Sequence, residues 1–172
     1  MSDQYEIRAI DPHTLKELRV RDDAGNAPRP VTENGEGGSP LRCCLSRSEP
    51  GEGLALVSYA PLRRWAHETA AEPGPYDEVG PVFIHPGDCG GWAGGASGAF
   101  PDAMRGTRRV LRAYTAEGSI LGGRLIDGEG SGAGAGLTIE RGLAELYENP
   151  LVAAVHVRAV EFGCFLVETR RV

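Results

Sequence analysis

Residues 5–10, Tyr5-Glu6-Ile7-Arg8-Ala9-Ile10, alternate between apolar and polar types. Successive strand side chains point to opposite faces, so the alternation predicts a strand. Asp11-Pro12 then supplies an N-cap and a first-turn proline for a short helix through Leu15 and Leu18. Residues 22–40 carry almost nothing apolar and read as a long loop, a feature that in a compact domain is usually mobile or functional. Residues 41–45, a Pro-Gly turn at 49–53 and the apolar run 54–59 read as a hairpin. A rigid Pro73-Gly74-Pro75-Tyr76 segment precedes a strand over 79–85, and a glycine-rich stretch follows it.

The clearest hairpin joins residues 108–115 to 119–127 through Ala116-Glu117-Gly118. Ile139, Leu143, Leu146 and Tyr147 fall on one helical face, with Thr138 as N-cap and Asn149-Pro150 as the stop. Strands over 151–158 and 163–170 close the chain. About seven strands and two or three short helices, mostly joined by hairpins, predict an α+β fold. One domain spans 1–172 with a largely antiparallel sheet. Flexible loops are expected at 22–40, 87–98 and 128–136, because glycine loses the most backbone freedom on ordering.

Composition agrees with one domain: 172 residues, 41% apolar and 24% charged. The 25 glycines are about twice the usual ~7% and concentrate in the loops. Lys16 is the lone lysine among 18 basic residues, which argues against Schiff-base chemistry. The Ala/Gly/Arg bias suits a bacterial chain from a GC-rich genome. The net charge of −6, with scattered arginines, argues against nucleic acid, whose binding draws on clustered cations. No apolar run approaches the ~20 residues of a membrane span. The first residues lack the charged and apolar regions of a signal peptide, so the expected location is cytoplasmic. Cys43, Cys44, Cys89 and Cys164 are then free thiols or metal ligands. The expected partner is an anionic small molecule, with neither nucleic acid nor membrane, and a homodimer is left open.

Strand alternation also sorts the polar residues. Arg112 and Tyr114 share one face of their strand, His156 and Arg158 one face of theirs, while Leu111, Ala113, Val155 and Val157 take the opposite, core-facing side. If the strands lie in one sheet, the four polar residues converge. Arg112 and Arg158 would bind an anionic substrate, since a planar guanidinium grips a carboxylate or phosphate through two hydrogen bonds. His156 is the acid–base candidate, with Tyr114 beside it and Glu78 as a partner. Residues 87–98 would rim the pocket. The bland alternative is a solvated sheet face carrying unrelated charges.

Cysteine and histidine form a second set. Cys44, His85, Cys89 and Cys164 comprise four ligand types that zinc prefers, although their spacing matches no finger pattern. Adjacent Cys43 and Cys44, placed on a strand, would point to opposite faces, and Cys43 reads as apolar filler. Cys89 also stands as a candidate nucleophile with His85 or His156 as base, without a papain-like or caspase-like signature. Gly128-Glu129-Gly130-Ser131-Gly132-Ala133 fits G-x-G-x-x-A, but its hairpin setting and Glu129 favour a linker over a dinucleotide site.

Several strings resemble the bacterial domain-of-unknown-function family number 1203. They are Arg42-Cys43-Cys44-Leu45; Gly74-Pro75-Tyr76-Asp77-Glu78-Val79-Gly80-Pro81-Val82-Phe83-Ile84-His85; Leu111-Arg112-Ala113-Tyr114; Val155-His156-Val157-Arg158; and Phe162-Gly163-Cys164-Phe165. The resemblance implies no activity. It implies a cysteine pattern with members near Leu41, near Cys44, at the place of His85 and near Val167. This chain keeps Cys44, Cys89 and Cys164, and His85 preserves a ligand type, but the other departures weaken a zinc cluster. The expectation is therefore a small enzyme or ligand-binding protein with no cofactor. A zinc-stabilised interaction module without catalysis is the alternative.

Overall fold

In the computed structural model, residues 4–94, 99–106, 108–127 and 138–172 are described. In chain order the elements are β1 (Tyr5–Arg8), α1 (Pro12–Leu18), β2 (Arg29–Thr32), β3 (Pro40–Leu41), β4 (Ser46–Arg47), β5 (Gly53–Tyr59), α2 (Pro61–Thr69), β6 (Gly80–Ile84), β7 (Arg108–Tyr114), β8 (Ile120–Asp127), α3 (Ile139–Tyr147), β9 (Ala154–Ala159) and β10 (Phe165–Arg171). The helix starts follow from their caps. Asp11 accepts from the backbone N–H groups of His13 and Thr14 at 2.9 and 3.0 Å, with Pro12 in the first turn, and Thr138 accepts from Arg141 N–H at 3.2 Å.

The strands form two five-stranded sheets. One runs β1-β10-β9-β7-β8 and is antiparallel; the other runs β2-β5-β6-β3-β4, with β3 and β6 parallel. Leu111, Ala113, Val155, Val157 and Val167 pack one face of the first sheet against Ile139, Leu143 and Tyr147 of α3. A second core joins α1, through Leu15 and Leu18, to Leu41, Leu54, Val57, Val82 and Ile84 of the other sheet. Leu62 and Trp65 of α2 cover Tyr114 and Ala154, so the polar face of the first sheet lies beneath a second layer rather than in solvent.

The α+β, mostly antiparallel expectation is borne out. Among the described residues the strand count is ten rather than about seven, and the strands divide between two sheets. Residues 22–40, read as a loop, contain β2, which pairs with β5. Pro30 within β2 signals against a central strand but suits an edge, where the missing N–H costs no ladder bond. Residues 42–45 form a turn, not a strand, with Leu45 at φ 51°. The predicted hairpin between 41–45 and 54–59 is therefore absent, and β5 pairs with β2 and β6 instead. Residues 128–136 and 95–98, within the predicted flexible loops, and the G-x-G-x-x-A motif lie outside the described residues.

Candidate functional site

The parallel register of β3 on β6 assembles a sulfur–nitrogen cluster. Leu41 pairs with Phe83, and Arg42 N–H donates to Phe83 O at 3.0 Å. Two residues beyond each member of that pair lie Cys43 and His85. The His85 N–H donates to Cys43 Sγ at 3.2 Å, and His85 Nδ1 stands 3.3 Å from Cys43 Sγ and 3.6 Å from Cys44 Sγ. The two sulfurs are 3.9 Å apart. Cys89 completes the group: the ligand atoms of Cys43, Cys44, His85 and Cys89 all lie within 4.8 Å of one another. The loop returns Cys89 to this place through an Asp88 side chain that accepts from Gly90 N–H, followed by Gly90 and Gly91 at φ 80° and 69°, a conformation glycine adopts without strain.

The surroundings fix the ring. His85 Nε2 lies 2.8 Å from Glu52 Oε1. A carboxylate accepts only, so Nε2 carries the proton and Nδ1 presents its lone pair to the sulfurs. Cys44 is pushed down to about 5, chiefly by the hydrogen bond from the Cys43 thiol, against its burial and with help from Ser46. Cys43 is pushed up by its bond to Cys44 and by burial.

This set corrects the sequence-based one. Cys164 is replaced by Cys43: Cys164 sits in the segment between β9 and β10, with Phe162 O as its contact, and takes no part in the cluster. The argument that neighbouring cysteines diverge assumed a strand. In the 42–45 turn the alternation does not apply, and both sulfurs reach one side. Glu52 was missed because nothing local marks it; 33 residues separate it from His85.

The arginine group is a separate site. Arg112 and His156 are cross-strand partners, as are Val110 and Arg158. The Arg112 guanidinium donates to Glu78 Oε2 at 2.7 Å, and Arg158 Nη1 lies 3.5 Å from the same oxygen. Arg158 Nε also donates to Gly163 O at 2.9 Å. Beside them opens a cleft of about 570 Å³, lined among others by Tyr59, Val79, Arg158, Phe162, Cys164 and Phe165. A groove of about 690 Å³ near α1 and α2 is larger, and its Arg64 is paired with Glu17 and Asp23.

The family model for "Protein of unknown function (DUF1203)" matches residues 38–171. The chain belongs to this family. No curated protein and no solved structure matches the chain. The DUF1203 span contains every member of both sites, together with Glu52, and leaves β1, α1 and β2 outside. Among the described residues, no helix is long and apolar enough to cross a membrane.

Within the DUF1203 region, the sequence-predicted His156 is fully buried. Its ring packs 4.7 Å from Tyr114 and 5.1 Å from Phe165, and Nε2 donates to Glu168 at 2.9 Å. Nδ1 has no hydrogen-bond partner among the described residues. The imidazole therefore packs behind Tyr114 and is not among the residues lining the cleft, where the sequence reading placed it as the acid–base candidate. Residues 90–94 line a groove with Arg8, Ile10 and Pro12, and no residue of 87–94 lines the Arg158 cleft, so the described part of that loop does not rim it. Cys89 likewise belongs to the cluster and not to the arginine cleft.

Proposed function

We propose that this protein is a zinc-stabilised ligand-binding module, with zinc held by Cys43, Cys44, His85 and Cys89 and playing no part in catalysis. The observation that carries this reading is the spacing of the four ligand atoms. With Zn–S at roughly 2.3 Å and Zn–N at roughly 2.0–2.1 Å, a tetrahedron places two sulfurs ~3.8 Å apart and a sulfur ~3.5 Å from a nitrogen. The 3.9, 3.3 and 3.6 Å separations among Cys43, Cys44 and His85 agree with that geometry, and Cys89 Sγ lies within 4.8 Å of each of the three.

Glu52 supports the same reading. A carboxylate on the far nitrogen is the usual outer partner of a metal-bound imidazole, fixing its tautomer and strengthening it as a donor. Cys₃His is the donor set of closed structural zinc sites; a catalytic zinc keeps one position open for water or substrate. The ion would tie the β3–β4 turn to the end of β6 and to the loop bearing Cys89. Thiolate ligands persist where glutathione keeps cysteines reduced, which favours a cytoplasmic setting.

The test is metal content per chain after expression in zinc-replete medium, together with thiol titration before and after a chelator. One zinc per chain, with three thiols released only by the chelator, is expected. Metal-free protein whose four thiols react freely overturns the reading. Cobalt substitution adds a second readout, because tetrahedral thiolate coordination gives intense visible and near-ultraviolet bands.

A further inference from the structure

Arg158 is held by the protein even without the carboxylate, its Nε donating to Gly163 O at 2.9 Å. Arg112 stands on the neighbouring strand β7 and donates to Glu78. Two guanidinium groups converge on one oxygen of Glu78, so the site carries one positive charge in excess. The two guanidiniums are largely covered, at 27% and 15% exposure, while the Glu78 side chain is half exposed and arrives on the short segment before β6. The carboxylate is thus the most solvent-exposed member of the group.

The adjoining cleft differs in character. Tyr59, Pro61, Val79, Pro81, Phe162 and Phe165 give it apolar walls, and Phe162 is 90% exposed. Its volume of about 570 Å³ falls within the range of small-molecule sites, which join mostly apolar walls to a few placed polar groups.

We infer that this cleft binds a small monocarboxylate with an aromatic or branched aliphatic body. The ligand's carboxylate replaces that of Glu78 on Arg112 and Arg158. Glu78 is then an internal competitor occupying the anion position when no ligand is present. An intramolecular carboxylate has a high effective concentration, and it lowers apparent affinity by the fraction of molecules in which the position is filled. A site filled about nine-tenths of the time by Glu78 gains about tenfold in affinity when that carboxylate is neutralised. Burial and the neighbouring Arg112 charge hold the Arg158 guanidinium below its ordinary value despite Glu78, in keeping with a cation pair that one carboxylate does not fully satisfy.

The experiment is an NMR titration of the arginine Nε–H resonances of the full chain with phenylacetate, compared with acetate and inorganic phosphate. Phenylacetate is expected to bind E78Q about tenfold more tightly than the parent chain, to bind at least tenfold more tightly than acetate or phosphate, and to be lost in R158K and R112K. The lysine variants keep the charge while removing the planar fork, and a melting curve for each reports whether the fold is retained. Equal phenylacetate affinity in the parent and E78Q overturns the competitor role. Retained binding in folded R112K and R158K, or equal affinity for phosphate, overturns the carboxylate site. None of these readouts depends on whether the Cys/His cluster holds zinc.

Discussion

Leu41 pairs in parallel with Phe83, and this register, two residues short of each ligand, sets Cys43 against His85. The adjacent chain reversal at 42–45 then swings Cys44 to the same side. A backbone relationship between short strands thus places three of the four candidate ligands, and the glycine turn after Cys89 supplies the fourth.

Single cysteine substitutions separate the two possible ligand sets. C164S is expected to leave metal content at the parental level, because its sulfur lies outside the cluster. C43S is expected to lose the metal and to unfold more easily, since Cys43 is fully buried in the second core. C89S, altering an exposed loop position, is expected to lose metal affinity with a smaller loss of stability. Metal loss in C164S with retention in C43S contradicts this assignment; zinc analysis and thermal melting read it directly.

Glu52 acts on the cluster only through His85. E52A is expected to weaken metal affinity by about 10–100-fold, the usual cost of removing an outer carboxylate partner. E52Q, which retains an oxygen acceptor but not the charge, is expected to fall between the parent and E52A. Competition against a calibrated chelator measures both. An unchanged constant in E52A shows that the 2.8 Å contact does not orient the ring.

Much of the first sheet was legible because its strands have one apolar face: Leu111, Ala113, Val155 and Val157 mark the core, and Arg112, Tyr114, His156 and Arg158 the other side. The sequence pattern did not reveal what covers that other side. Residues 61–69 form α2, with Pro61 in its first turn and Leu62 and Trp65 buried, but their alternation alone does not mark a helix. That missing signal hid the layer over Tyr114. The metal ligands illustrate a different limit. Whether Cys43 and Cys44 share a side depends on whether 42–45 is strand or turn, and the Leu45 left-handed backbone is set by tertiary contacts rather than by local composition. Partners far apart in sequence, such as Glu52 and His85, carry no local signal at all.

Gly37 is a structural position rather than a flexible one. Its φ is 80°, and a Cβ there would lie 2.7 Å from Ser48 O, a backbone atom that cannot rotate away. That carbonyl also accepts from Gly38 N–H at 2.9 Å. G37A is expected to destabilise the protein by about 1–3 kcal/mol, the range for a strained left-handed residue. G35A, with φ 69° but nothing near its Cβ, is expected to cost less. Urea unfolding of the two variants ranks them, and equal losses would show that the contact with Ser48 yields easily.

Glu168 couples stability to acid. Burial alone raises its carboxyl pKa, but the hydrogen bond and charge of His156, joined by Arg170, outweigh that and hold it below the ordinary carboxylate value. The folded pKa is thus lower than the unfolded one. Its stabilisation is complete above the unfolded value, near 4.5, and is lost as pH falls through the lower folded value. E168Q removes the charge at every pH, leaving His156 without its carboxylate and Arg170 with Glu68 alone. Breaking a buried pair from one side costs about 3–5 kcal/mol, so a loss of that order is expected at pH 7. The gap is expected to narrow below pH 4.5, where protonation removes the same charge from the parent. Urea unfolding at pH 7, 5 and 3 tests the sign. A gap that stays constant down to pH 3 would show that packing, rather than the His156–Glu168–Arg170 charges, accounts for the loss.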